Sequence, residues 1–193
     1  MKRLSALPAL FMLTLGGLSS PAALAAWELD PSHTHVGFQA SHLGVTHTPG
    51  IFRKVEGNVM FDDAKVEASS VTIVIDAASI DTVNAQRDAD LRTEAWFDVD
   101  KNPKITFVST SVRRIDDKNY VISGNLTIRG KTRLVDFNTV LTNRVVNPFV
   151  KLPVVGFVGS ARIKRSDFGM TQYLAMIANE VDLTITLELL QKP

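Results

Sequence analysis

The sequence predicts an all-β fold, an eight-stranded antiparallel barrel with a helical insertion between strands 3 and 4. Three observations predict it. Eight segments alternate apolar and polar residues with period two, the mark of half-buried strands. Short turn signals join most of them, which favours antiparallel neighbours. One polar passage, 84–94, lacks Gly and Pro and holds few β-branched residues, so it can form a helix. Closing the sheet leaves no edge strand exposed. Eight strands enclose an interior that side chains fill, or that holds one ligand.

Residues 1–25 read as a leader, not as structure. Lys2 and Arg3 precede a nearly apolar run from Leu4 to Leu18, and Ala23-Leu24-Ala25 is a small-x-small cleavage signal. That is a secretory signal peptide, too short to span a membrane stably. Residues 26–193 then form one domain, and the protein is expected in the periplasm. There is no Cys, hence no disulfide framework, and the core alone must hold the fold. Across the whole chain 21 basic residues face 20 acidic ones, and losing Lys2 and Arg3 leaves a charge near zero. That balance argues against nucleic acid as a partner, because phosphate binding needs a basic face.

Taken in order, Val36, Phe38 and Ala40 alternate as the first strand, and His42 shares their parity. Residues 43–50 read as a turn-rich loop. Phe52 to Asp62 is the second strand, with Val55, Gly57, Val59 and Phe61 on one face. Val71, Ile73 and Ile75 mark the third. The insertion follows, with Asp81 or Thr82 as the expected helix cap and Val83, Leu91, Ala95, Trp96 and Phe97 as its inward residues. Pro103 stops it. Ile105, Phe107 and Ser109 begin the fourth strand, Tyr120 to Ile128 is the fifth, and Gly130 makes a tight turn into the sixth, Val135 to Leu141. Residues 142–153 read as a loop. Phe157 to Ile163 is the seventh strand and Val181 to Leu189 the eighth, with the stretch 165–178 between them.

Chemistry-bearing residues are few. All four histidines lie between 33 and 47, and His33 and His35 stand at a spacing that can chelate a metal on one strand face. No metalloprotease motif, serine elbow or phosphate loop accompanies them. Arg87, Asp88, Asp90 and Arg92 sit at i, i+3 and i, i+4 spacings that suit pairing along a solvated helix face, each pair worth about 0.2–0.5 kcal/mol. Alternatively Arg87 or Arg92 turns toward the barrel mouth. Phe38, Phe61, Phe107, Phe137 and Phe157 recur once per strand on the inward parity, as either packed core or cavity wall. Small inward residues, Gly57, Gly124, Gly159 and Ala161, leave room for a cavity.

Motifs along the mature chain carry a resemblance. They are Leu29-Asp30, His33, Val36-x-Phe38, His42, Gly50-x-Phe52 and Phe61-Asp62; then Ser79-Ile-Asp-Thr82, Arg87-Asp88-x-x-Leu91-Arg92, Phe97-Asp98 and Pro103-x-Ile105-Thr106-Phe107; then Gly124-x-Leu126-Thr127-Ile128-x-Gly130-x-Thr132-Arg133 and Arg165-Ser-Asp-Phe-Gly-Met170. Together and in this order they resemble the YceI family of periplasmic lipid-binding proteins. His35 departs from the family pattern, which has a small or apolar residue there.

The resemblance implies a lipocalin-like barrel that binds a long isoprenoid lipid, of polyprenyl or quinone type, in its interior. The ligand wall is then expected at Phe38, Phe61, Ile73, Phe107, Leu126, Phe137 and Phe157, with His42 and Arg92 at a polar end. No catalytic residue, metal or cofactor other than the bound lipid is implied. Transport of the lipid would involve transient membrane contact, and a homodimer is left open. The competing readings are a metal-binding or catalytic barrel using His33, His35 and His42, and a stress-response interaction protein.

Overall fold

The computed structural model describes residues 26–192, so the leader read over residues 1–25 lies outside the described residues. Eleven strand segments form one antiparallel sheet. They are β1 (Ala26–Leu29), β2 (His35–His42), β3 (Thr46–Phe52), β4 (Val55–Met60), β5 (Ser70–Asp76), β6 (Ile80–Asp81), β7 (Lys104–Arg114), β8 (Asn119–Ile128), β9 (Lys131–Val146), β10 (Pro153–Lys164) and β11 (Ile177–Gln191). The single α-helix among the described residues, α1 (Ala85–Arg92), lies between β6 and β7.

Six of these segments are halves of three broken staves. β1 and β2 run end to end along β11, β1 on Leu189–Gln191 and β2 on residues 177–186. β4 and β3 pair with β1 and β2 in turn, and β5 and β6 pair with β4 and β3. With β7 to β11 this makes eight staves, each bonded to the next in sequence, and the eighth closes on the first. The sheet is a closed barrel, completed through β1, β4, β5 and β7, while β6 pairs on one side only, with β3.

Each break has a local cause. At 30–34 the Asp30 carboxylate accepts from Ser32 N at 2.8 Å and contacts His33 Nδ1 at 2.9 Å, replacing ladder bonds by a side-chain turn. At 77–79 a single 3-10 turn is capped by Asp76, which accepts from Ala78 N at 3.1 Å. The break at 53–54 is held beside it, where Arg53 N donates to Ser79 O at 3.1 Å.

The structure moves several boundaries. The stretch 43–50, expected as a loop, is mostly β3, and only 43–45 turn the chain. The expected second strand through Phe52 is interrupted at 53–54. β9 continues through Val146, so the following loop is confined to 147–152. Thr and Val dominate 139–146, and these β-formers outweighed the absence of a clean apolar period. The helix cap is Asn84, whose Oδ1 accepts from Arg87 N at 3.0 Å, and not Asp81 or Thr82. Asp81 instead accepts from Val83 N at 2.7 Å, and Val83 takes φ 59° and is 95% exposed, so it does not face inward. Ala95 is exposed as well.

The expected inward set is otherwise what the barrel buries. Ile73, Ile105, Phe107, Leu126, Phe157, Leu187 and Leu189 belong to one continuous core, and Phe38, Ile122, Phe137, Leu183 and Ile185 pack against it half-buried. The Arg129–Gly130 turn has φ values of 50° and 67°, the primed geometry that hairpin twist prefers.

Candidate functional site

The barrel encloses a cavity of about 660 Å³, within the roughly 300–1,000 Å³ typical of small-molecule sites. Its middle is apolar, walled by residues such as Ile73, Phe107, Leu126, Phe137, Leu183 and Ile185. Strand pleat explains the wall, since alternate residues of every stave point to one face. Two Phe–Gly pairs shape it. A Cβ at Gly50 would collide with the Phe38 ring, and one at Gly124 would collide with Phe107. Gly124 therefore does not leave empty room, as its inward parity suggested; its space is taken by the Phe107 ring lying over it. Phe107 in turn meets Phe137 edge-on at 5.1 Å.

One end of the cavity is floored. Phe61, Tyr120 and Phe157 form an edge-to-face trio with centroids 5.2–6.3 Å apart. Two guanidiniums cap it from outside, Arg144 at 5.3 Å over Phe61 and Arg114 at 5.7 Å over Tyr120. Asp63 ties both. Its carboxylate accepts from Arg144 NH1 and NH2 at 2.7 Å each and from Arg114 NH2 at 2.7 Å. The Arg144 guanidinium holds the Asp63 carboxyl below the usual carboxylate range.

The opposite end carries the ionisable lining residues, His42, Arg87, Asp90 and Arg165, with Thr46, Thr48 and Thr82. Within the insertion a buried network positions Thr82 and Arg87. Asp88, 8% exposed, accepts from Thr82 N at 2.8 Å and Thr82 Oγ1 at 2.6 Å. Arg87 donates Nε to Thr82 Oγ1 and NH2 to Thr82 O, both at 2.8 Å. Across the mouth, buried Arg165 donates to the carbonyls of Ala178, Met170 and Ile177 at 3.0, 2.7 and 2.8 Å and pins the 165–178 loop. Trp96 lies over Arg165 at 5.3 Å and beside Tyr173 at 6.4 Å, joining insertion and loop.

All seven expected wall residues, Phe38, Phe61, Ile73, Phe107, Leu126, Phe137 and Phe157, line this cavity, and His42 lines its mouth. Arg92 does not. It points away and donates Nε to Ala78 O at 2.8 Å and NH2 to Ile80 O at 2.9 Å, fastening the helix to β6. Helix geometry gives the reason, because Arg92 is five residues beyond Arg87 and lies on another face. The expected pairing of Arg87 with Asp90 and of Asp88 with Arg92 is not formed among the described residues. Thr46 and Thr48 went unnoticed because their segment read as a loop. Trp96 and Leu91 were visible as apolar residues in a polar passage.

The histidines do not gather. His35 is exposed on the outward parity, His42 is at the mouth, and His33 is on the 30–34 break. Among the described residues a metal-capable group is formed instead by Asp30, His33 and Glu188. There the polar atoms already satisfy one another: His33 Nδ1 is 2.9 Å from Asp30 and 3.9 Å from Glu188. The bonds from Ser32 and His33 hold the Asp30 carboxyl down at about 2, and Asp30 raises the His33 imidazole.

A closed up-and-down barrel with this insertion has known counterparts. Residues 27–189 match the family model for the YceI-like domain. A UPF0312 protein of Azotobacter vinelandii is 35% identical over 187 residues, covering 97% of this chain and 96% of its own. One of Photorhabdus laumondii is 34% identical, covering 91% and 93%. Among solved structures, Burkholderia cenocepacia BcnA superposes with a TM-score of 0.76 at 27% identity, covering 83% of this chain and 99% of its own. The Campylobacter jejuni YceI protein does so at 0.73 and 26%, covering 79% and 90%. A domain from Saccharophagus degradans described as polyisoprenoid-binding shares the fold at 0.66 and 16%, covering 87% and 99%. Matched from the first stave to the last, the chain belongs to the YceI-like family.

Proposed function

We propose that this chain is a periplasmic, non-catalytic carrier that holds a long-chain isoprenoid lipid, polyprenyl or quinone in type, inside its barrel. The observation that carries the reading is the cavity itself. Its volume of about 660 Å³ falls within the roughly 300–1,000 Å³ of small-molecule sites, and apolar side chains make most of its wall. The space is therefore one to be filled, and its wall suits hydrocarbon. Each buried CH₂ is worth about 0.8 kcal/mol relative to water, so an isoprenoid chain does not leave a membrane for water alone. An apolar barrel replaces one oily surrounding by another and makes the transfer nearly neutral.

The placement of charge orients the ligand. The floor is aromatic, and His42, Arg87 and Asp90 line the other end. The tail lies toward Phe61, Tyr120 and Phe157, and the headgroup stays at the mouth. The barrel fold is shared with a domain described as polyisoprenoid-binding, which supports a lipid as the class of cargo.

The test is uptake. Delipidated protein is incubated with a polyprenyl alcohol or a long-tailed quinone in detergent, and bound lipid is extracted and quantified. Stoichiometric uptake is expected. Phe107→Asp and Phe137→Asp should abolish it while circular dichroism shows a folded barrel. Absence of uptake by the unaltered protein would sink the reading.

A further inference from the structure

The rim of the mouth is built from two segments that expose apolar side chains. The β2–β3 turn presents Leu43, 56% exposed, and Val45, 79% exposed. The loop before β11 presents Tyr173, Leu174 and Met176, between 45% and 61% exposed. The two are one surface, because Leu43 N donates to Met176 O at 2.7 Å and His42 pairs with Ile177.

These side chains are held outward by a fixed backbone. Leu43 and Gly44 have φ values of 54° and 68°, a primed turn closed by Val45 N donating to His42 O at 3.0 Å. A β-carbon residue in the left-handed region is uncommon, and Leu has no side-chain hydrogen bond to favour it. Tyr173 also has positive φ, and its carbonyl accepts from Met176 N and Ile177 N at 2.9 and 2.8 Å.

The charge of the rim selects a partner. Residues 41–52 and 168–179 contain no Asp or Glu, and their ionisable groups other than Tyr173 are His42 and His47. Lys131 flanks the loop, its Nζ 2.8 Å from where a Cβ of Gly169 would lie. Lys131 and Arg133 form no ion pair among the described residues. These two apolar segments carry no carboxylate of their own and are flanked by Lys131, with Asp90 on the insertion side of the mouth; such a segment suits an anionic lipid surface, where apolar side chains enter the interface and a cation meets headgroups. The rim also borders the opening through which a lipid must pass.

We propose that this rim, Leu43, Val45, Leu174 and Met176 flanked by Lys131, docks the barrel mouth-down on an anionic phospholipid bilayer. The inference rests on the lipid-carrier reading and names the surface from which cargo is taken. Docking seats the mouth against the bilayer, so the cargo slides between two apolar phases without crossing water.

The experiment is flotation of the protein with vesicles of phosphatidylcholine, with and without phosphatidylglycerol. Leu43→Asn suits the left-handed turn. That variant and Leu174→Ser should each weaken partition onto the anionic vesicles by about tenfold, the effect of removing one inserted apolar side chain. Phe149→Ser serves as a control, because Phe149 is 91% exposed in the 147–152 loop at the floored end. It should leave partition unchanged. Uptake of a polyprenyl alcohol from detergent is measured on the same variants and should stay at the unaltered level. Undiminished flotation of both rim variants, or loss only in Phe149→Ser, overturns the docking proposal. Failure of the unaltered protein to take up lipid from detergent overturns the carrier reading instead.

Discussion

Replacing Phe157 by Ala should lengthen the tail that the barrel prefers. Phe157 faces Leu187 on β11 and Leu141 on β9, is 8% exposed, and lies edge-on to Phe61 at 5.2 Å. Truncating a buried Phe costs about 3–5 kcal/mol. Here the void opens into an existing cavity, so the low end, about 3 kcal/mol, is expected for the empty protein. A tail one isoprene unit longer can fill the vacated floor. Filling it recovers at most about 3 kcal/mol, the cost of the void, because the extra carbons pass from one apolar phase to another. The lipid-loaded variant should thus lose little stability, whereas the empty one loses the full amount. Competition between two polyprenyl alcohols differing by one unit reads the preference directly, and urea titration of loaded and empty protein reads the stabilities. A shift toward the longer tail of up to about 10²-fold corresponds to that recovery. A folded variant with unchanged tail preference would refute the placement of the tail at the Phe61–Tyr120–Phe157 floor.

Other predictions follow from the insertion and the break. Asp88→Ala strands the Thr82 amide and hydroxyl in a buried place and should cost about 2–4 kcal/mol by urea titration. Asp88→Asn keeps an acceptor and should restore much of that, and equal losses in the two variants would count against the network. Arg92→Ala removes bonds to Ala78 O and Ile80 O, so hydrogen exchange over 85–92 should quicken by about fivefold or more while lipid uptake from detergent is unchanged. Reduced uptake by that variant would place Arg92 at the ligand after all. The Asp30–His33 contact should show in the pH dependence of stability relative to Asp30→Asn. The Asp30 carboxyl is lowered, so its contribution is full above the unfolded value of 3.8 and is lost as pH falls toward about 2. The His33 imidazole is raised, so its contribution is full below 6.5 and is lost as pH rises through the folded value. The difference between the two proteins should therefore be largest between those limits, and a flat difference would contradict the coupling.

Period-two alternation made the barrel legible, because one face of every stave packs inward and a one-residue slip would expose it. The same parity placed Phe38, Phe107 and Phe137 on the wall. What alternation does not encode is where a stave breaks. The Asp30 turn and the Asp76-capped 77–79 turn depend on side chains bonding to nearby backbone, and the flanking residues keep their parity. β3 was hidden because Thr, His, Pro and Gly in 46–50 carry turn chemistry, yet the Phe38 ring covers Gly50 and makes the strand. The polar end was only half legible. Local spacing made Arg87, Asp88, Asp90 and Arg92 look like paired surface charges. Burial of Thr82 beside Asp88 is a tertiary event that reassigns each of them. Arg165 could be noticed as a motif residue, but its three bonds to loop carbonyls depend on the hairpin-like return of 170–178.

The most direct measurement of the central claim is native mass spectrometry of the protein purified from its own cells, with organic extraction of what it holds. The account predicts a stoichiometric isoprenoid lipid bound non-covalently and released when the barrel unfolds. Protein that is empty, or that carries a metal ion and no lipid, would contradict it.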